Sequence, residues 1–278
     1  MKQSRLGSLV KHDCLSGIIS RWKYFAVALT FFTFICAVFA VHANAFLRTY
    51  GLSEKLGFFD FLFQVFAGNK PFDLTDRSVP SLSVAWFTFH AYLLFLTGFY
   101  AAEDLKASAV SFILRVKSKT KWWVGKFVWC VLSVTFYYLL LFSCIGLFAV
   151  LGGNTGFASE SVCSEFFGIE IGGIGKHDIA VVLLFLPFVS SIAFSSFHMM
   201  LSLVVKPLYS FLIGIVFLAA AAFYCHPLLL YNFTMASRNT VFFPGSGVTS
   251  ARGIISALCV ALISFLGGIV VVRHRDII

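Results

Sequence analysis

Charge is scarce: Asp, Glu, Lys and Arg make up only 12% of 278 positions, about half the share of a soluble domain. Acidic residues are the rarer sign, 12 against 21 basic, and none of these 33 charges falls inside a long apolar run. Proline is limited to six residues, which excludes collagen-like and proline-rich disordered chains. The seven cysteines (14, 36, 130, 144, 163, 225 and 259) form no C-x-x-C. Five lie in apolar runs and only Cys163 in a long polar loop, so they read as small buried hydrophobes rather than a disulfide framework or a metal site. A phosphate-binding loop is missing as well. The nearest fragment, Gly175-Lys176, has Glu170 where the first glycine belongs and His177 where a hydroxyl is needed. Gly245-Ser246-Gly247 lacks the frame of a hydrolase nucleophile and reads as turn punctuation. The N-terminal 20 residues are too polar for a signal peptide.

What is abundant is hydrophobic residue, 59% of the chain with 35 Phe, at a mean hydropathy of +0.92. Six uncharged apolar runs are each of about the length that crosses a bilayer: Tyr24–Ala43, Ser81–Ala102, Phe127–Gly153, Ile179–Val205, Pro207–Cys225 and Gly253–Val272. The sequence predicts an all-α, polytopic membrane protein with six transmembrane helices in one domain, residues 1–278. Pro187 is expected to kink the fourth span, and Lys206-Pro207 to close a tight hairpin between the fourth and fifth. Leu15, Ile18, Ile19 and Trp22 recur at helical spacing beside Arg21 and Lys23, predicting an amphipathic interfacial helix over residues 1–23. Shorter apolar pieces predict helices that do not span. Gly57–Ala67 would lie in the outer interface with Asp60 and Gln64 as a polar stripe, and Pro227–Phe233 would re-enter the membrane.

The basic residues are distributed unevenly. The N-terminal segment, the loop 103–126, Lys206 and the C-terminal tail together hold 14 basic and 4 acidic residues, the opposite loops 7 and 8. The positive-inside rule therefore puts both termini in the cytoplasm and the loop 151–178 outside. The net charge of +9 thus belongs to a lipid surface, with no nucleic acid expected as a partner.

Of Asp, Glu, Lys, Arg and His, only His90 and His198 lie inside the spans away from the ends, and no third ligand is spaced beside either, so no metal site is expected. Ser191, Ser195, His198 and Ser202 share one face of the fourth span, a pattern that either lines a pathway or packs helices. Ala257, Ala261, Ser264 and Gly268 make a small-residue stripe on the sixth that allows close approach.

The second cytoplasmic loop carries the most specific pattern. An apolar piece, Leu105–Leu114, precedes Arg115-Val116-Lys117-Ser118, a basic run and Lys121-Trp122-Trp123-Val124-Gly125-Lys126. The tryptophans and lysines by themselves suit a headgroup anchor. The stretch also resembles the corresponding loop of ABC transporter membrane subunits of the type-2 exporter permease family. The N-terminal amphipathic stretch is similar to that family's elbow helix, the segment His226–Met235 to the piece after its fifth span, and the tail Val271–Ile278 to its short basic ending. The long acidic loop 151–178 and the terminal Ile departs from the family pattern. The resemblance implies a bacterial plasma-membrane protein without catalytic residues or cofactor of its own. A pair of such subunits, identical or paralogous, would join cytoplasmic ATPase subunits that hold ATP and Mg. Leu105, Val110, Ile113, Leu114 and Arg115 would contact the ATPase as a coupling helix, and His90, Ser191, Ser195 and His198 would line the pathway for a peptide or drug-like amphiphile. Two other readings stay open: an intramembrane enzyme acting on lipid or peptide with His90 or His198 as base, and a non-transporting immunity or scaffold protein.

Overall fold

A computed structural model describes residues 15–19, 21–69, 82–107, 118–153, 158–245 and 247–274. Among them the regular structure is helical, with no strand and one isolated bridge between Asn239 and Val248. After a π turn at Leu15–Ile19 come α1 (Trp22–Thr49), α2 (Phe58–Phe66), α3 (Val84–Gly98), α4 (Tyr100–Ala107) and α5 (Lys119–Leu151). They are followed by α6 (Lys176–Ala180), α7 (Leu186–Val204), α8 (Pro207–Phe223) and α9 (Ser250–His274).

Five helical stretches are long and apolar enough to cross a membrane: α1, α3–α4 over Val84–Leu105, α5, α6–α7 over Lys176–Val204, and α9. The expected fifth span is shorter. α8 is an apolar helix of 17 residues, or roughly 25 Å at 1.5 Å per residue. It stops where the Arg238 guanidinium takes the carbonyls of Ala221, Ala222 and Tyr224.

Local sequence explains the other ends. α5 begins eight residues before the apolar run, because Ser118 caps it by accepting from the Lys121 N–H at 3.4 Å. Pro187 produces a π turn, Val181–Phe185, at the point where a kink was expected. Its missing N–H leaves the Leu183 carbonyl without an α-helical donor, and the wider pattern, with Leu186 N–H on the Val181 carbonyl, absorbs the mismatch. The hairpin turn is as short as expected, α7 ending at Val204 and α8 starting at Pro207.

Two hydrophobic cores form. The larger takes Phe25, Phe32, Cys36, Phe39, Ala43 and Leu47 from one stripe of α1, nearly all of α2, and the inner faces of α3, α5 and α7. The smaller joins Tyr100, Trp122, Trp123, Trp129, Met199, Leu203 and Val272. α9 lies along α7 on its small stripe, where Gly253, Ala257, Ser264 and Gly268 are buried and Ala261 is half-buried. A Cβ at Gly268 would sit 2.1 Å from the Trp123 ring, so only glycine admits that indole.

Three expectations change. Trp122 and Trp123 are fully buried in the smaller core, where their indole N–H groups find acceptors, and do not lie at a headgroup surface. The stripe of α2 is not a surface feature: Asp60 is buried and Gln64 half-buried. Cys225 and Cys259 are exposed rather than buried, while Cys163 of the polar loop is buried as expected.

Candidate functional site

One pole of the molecule gathers the N-terminal segment, both sides of the loop 103–126, and the end of α9. Trp122, Lys126 and Trp129 recur at i, i+4 and i+7, on one face of α5. Against that face stands the acidic end of α4. The Asp104 carboxylate accepts from Trp122 Nε1 at 2.9 Å and pairs with Lys126 Nζ at 2.8 Å. The Lys126 ammonium also lies 4.6 Å from the centre of the Tyr100 ring, which attracts it through the ring quadrupole. Tyr100 stacks on Trp129 at 3.9 Å, and Trp129 occupies the space beside Gly17. Outside this box Arg21 pairs with Glu103. Arg273 closes the other side, donating to Thr120 Oγ1 at 3.1 Å while its carbonyl accepts from Lys119 Nζ at 3.4 Å. Leu105 packs half-buried on the smaller core. Val110, Ile113, Leu114 and Arg115 lie outside the described residues.

The polar face of the fourth span is buried between helices. His90 Nδ1 is 2.9 Å from the Trp86 carbonyl, inside a ring of Phe66, Trp86, Phe89 and Tyr231. Ser191 Oγ meets the Tyr138 hydroxyl at 2.9 Å, and Ser202 donates to the Met199 carbonyl at 2.7 Å. Ser195 Oγ, His90 Nε2 and both ring nitrogens of His198 are buried with no hydrogen-bond partner among the described residues. Such groups carry a desolvation cost of about 1–3 kcal/mol each. The two imidazoles are not brought together: His198 lies on Gly98, eight residues and therefore roughly 12 Å along α3 from His90. Among the described residues no hydrogen bond joins either imidazole to a hydroxyl or thiol side chain, and no group of metal-binding side chains occurs.

The Gly98 contact sets how closely spans two and four approach. A Cβ there would lie 1.8 Å from His198 Cε1. Gly98→Val is expected to push these helices apart and to cost about 1–3 kcal/mol or more, read as a lowered thermal midpoint in detergent. His198→Ala in the same chain is expected to restore most of the loss.

The far pole holds two polar centres that the composition of the runs did not reveal. Both oxygens of Asp60 are taken up: Gly57 N–H donates at 2.6 Å, Ser159 N–H at 2.9 and 3.1 Å, and Cys163 Sγ at 3.4 Å. Burial pushes the Asp60 carboxyl up to about 6, and the donors from Gly57, Ser159 and Cys163 only partly oppose it. Glu54 beside it accepts from Ser159 and Ser161, whose hydroxyls hold it below the usual range. An acidic residue in the first turn of α2, three after Gly57, was the available sign of the Asp60 cap. Arg238 donates to the carbonyls of Asn69, Ala221, Ala222 and Tyr224 and to Asn232 Oδ1. No local pattern marked that centre. It closes the segment Leu230–Arg238 over the larger core, with Ser237 N–H on the Ala67 carbonyl at 3.0 Å.

An apolar groove of about 230 Å³ opens between Phe194, Phe217, Leu228 and Ile263. Comparison of the chain with family models, curated proteins and solved structures returns no match.

Proposed function

We propose that the chain is the membrane subunit of an ATP-driven exporter of the ABC type-2 permease class. In this reading it crosses a bacterial plasma membrane six times, with α8 completing the fifth crossing and both termini in the cytoplasm. The pole with Arg21, Lys119, Lys121, Lys126, Lys206 and Arg273 then faces inward, in keeping with the positive-inside rule. The observation that carries the reading is the fastening of the loop 103–126 at both ends: Asp104 is held by Lys126 and Trp122, and Glu103 by Arg21. A loop that transmits force from an ATPase needs a stiff base, and a lipid anchor does not. ATP and Mg belong to the partner ATPase subunits, and a second permease subunit, identical or paralogous, completes the pathway. The buried face of His90, Ser191, Ser195 and His198 is the part of the interior that hydrates when spans two and four separate. Its unpaired polar atoms gain water in that state, which suits a peptide or drug-like amphiphile as cargo.

The loop between the two clamps supplies the test. Ile113→Asp with Leu114→Asp removes two apolar side chains, each worth roughly 1.5–3 kcal/mol when buried on a partner. The double variant is expected to insert normally, to lose co-purification with its ATPase or to uncouple hydrolysis from export. Full partner binding with full substrate-stimulated hydrolysis would remove the coupling assignment. Turnover of a lipid or peptide by the purified chain without nucleotide would instead favour the enzyme reading, and tight peptide binding without transport the immunity reading.

A further inference from the structure

A cavity of about 90 Å³ opens between the N-terminal π turn, the start of α1 and the end of α3–α4. Its walls divide by chemistry: Arg21 and Glu103 form the polar end, and Tyr24, Phe95 and Phe99 the apolar one. Phe95 lies eight residues before Glu103, roughly 12 Å along the helix, so the cavity reaches from the end of the spanning stretch Val84–Leu105 into its apolar part. The walls are fixed. Tyr92 donates from its hydroxyl to the Tyr24 carbonyl at 2.7 Å, the Tyr24 ring meets Phe95 edge-on at 6.0 Å, and the Arg21 guanidinium stands 5.0 Å from the centre of the Tyr100 ring. Among the described residues the ion pair uses only Nη2 of Arg21 and Oε2 of Glu103. With the two side chains 27% and 56% exposed, the other N–H groups and the second carboxylate oxygen are left for a ligand.

We propose that this cavity binds one phospholipid whose headgroup carries a phosphate and a primary ammonium, a phosphatidylethanolamine. A cation and a carboxylate side by side match a ligand that bears both signs. The phosphate accepts from the Arg21 guanidinium, the ammonium donates to the free oxygen of Glu103, and both contacts are charge-assisted. The pair Arg21–Glu103 need not break, because each partner keeps the atom it already uses. The glycerol and the first acyl carbons then lie on Tyr24, Phe95 and Phe99, aromatic rings at the depth where a bilayer passes from headgroup to hydrocarbon. A soluble phosphate compound would leave that wall uncovered. The other common headgroups fit less well. A choline nitrogen has no N–H to give to Glu103, and a glycerol headgroup offers a neutral hydroxyl there while its lipid brings an uncompensated negative charge beside the carboxylate. The site requires only that the chain sits in a bilayer, whichever leaflet this pole faces.

Native mass spectrometry of the full chain counts what the site retains from mixed micelles holding equal amounts of phosphatidylethanolamine, phosphatidylcholine and phosphatidylglycerol. The first lipid bound is expected to be phosphatidylethanolamine, by about tenfold over either competitor, the discrimination that one hydrogen bond between charged groups supports at a partly open site. Glu103→Gln keeps an acceptor oxygen without the charge and is expected to abolish the advantage of the ammonium while phospholipid binding persists. Arg21→Ala is expected to lower retention of all three lipids. Lys23→Ala, outside the cavity, is expected to leave the preference in place. Equal retention of the three lipids by the wild type, or an unchanged preference in Glu103→Gln, would overturn the site. The wild-type competition decides by itself should a variant fold poorly. No ATPase or cargo takes part, so the outcome is independent of the exporter reading.

Discussion

Arg238→Ala is expected to remove a large share of the chain's stability. The guanidinium supplies donors to four backbone carbonyls and to Asn232, three of those carbonyls being the frayed end of α8. A helix leaves its last carbonyls unsatisfied by construction, and a cation there also meets the negative end of the helix dipole. Removing the side chain abandons several buried acceptors at about 1–3 kcal/mol each, with incoming water recovering some of that. A net loss of about 4 kcal/mol or more is expected, set against a typical total stability of about 5–15 kcal/mol. Size-exclusion profiles of detergent extracts and thermal midpoints measure it. Arg238→Lys separates charge from shape. A lysine has three donors on one point and cannot span five acceptors in a plane, so only partial recovery is expected. Full recovery with lysine would show that charge alone suffices.

Asp104→Ala carries the second large effect. Lys126 has a side chain 1% exposed, and Asp104 is only 10% exposed, so this is a buried pair. Deleting one partner of such a pair costs about 3–5 kcal/mol, because the other charge loses its counter-ion. Trp122 Nε1 loses its acceptor in the same step. Asp104→Ala is therefore expected to lower the thermal midpoint sharply, and to loosen the base of the loop 103–126. Combining it with Lys126→Met removes the buried charge as well and is expected to recover more than half of the loss. A double variant as unstable as the single one would place the cost in packing. If the exporter reading holds, the single variant also shows ATPase activity poorly coupled to cargo movement.

The long helices were legible because their apolar runs obey a length rule that lipid imposes. The hairpin at Lys206-Pro207 and the disturbance ahead of Pro187 followed from a residue that lacks a donor. At the far pole only the Asp60–Gly57 cap, three residues apart, had a local sign. Arg238 and Asn69 are 169 residues apart, and Asp60 and Ser159 are 99 apart, so no local spacing connects them. The tryptophan pair was misread for a different reason. A lysine-flanked Trp-Trp fits a headgroup layer and a polar-lined core equally, and the choice was made by Asp104 across the same loop and by Phe265 and Gly268, far along the chain. On the fourth span the sequence placed Ser191, Ser195, His198 and Ser202 on a common face. It held nothing about Gly98, which determines how tightly that face is closed.

The smaller core has an implication for how the chain is made. Trp123 donates to the carbonyl of Phe265, 142 residues later, and rests against Gly268. A ribosome adding about 5–20 residues per second leaves that indole without its acceptor for on the order of 10 s after Trp123 emerges. α5 is therefore made with one wall of the smaller core missing. Arrival of the last helix closes it, so a nascent chain halted before Phe265 would display that indole to the quality-control machinery of the membrane.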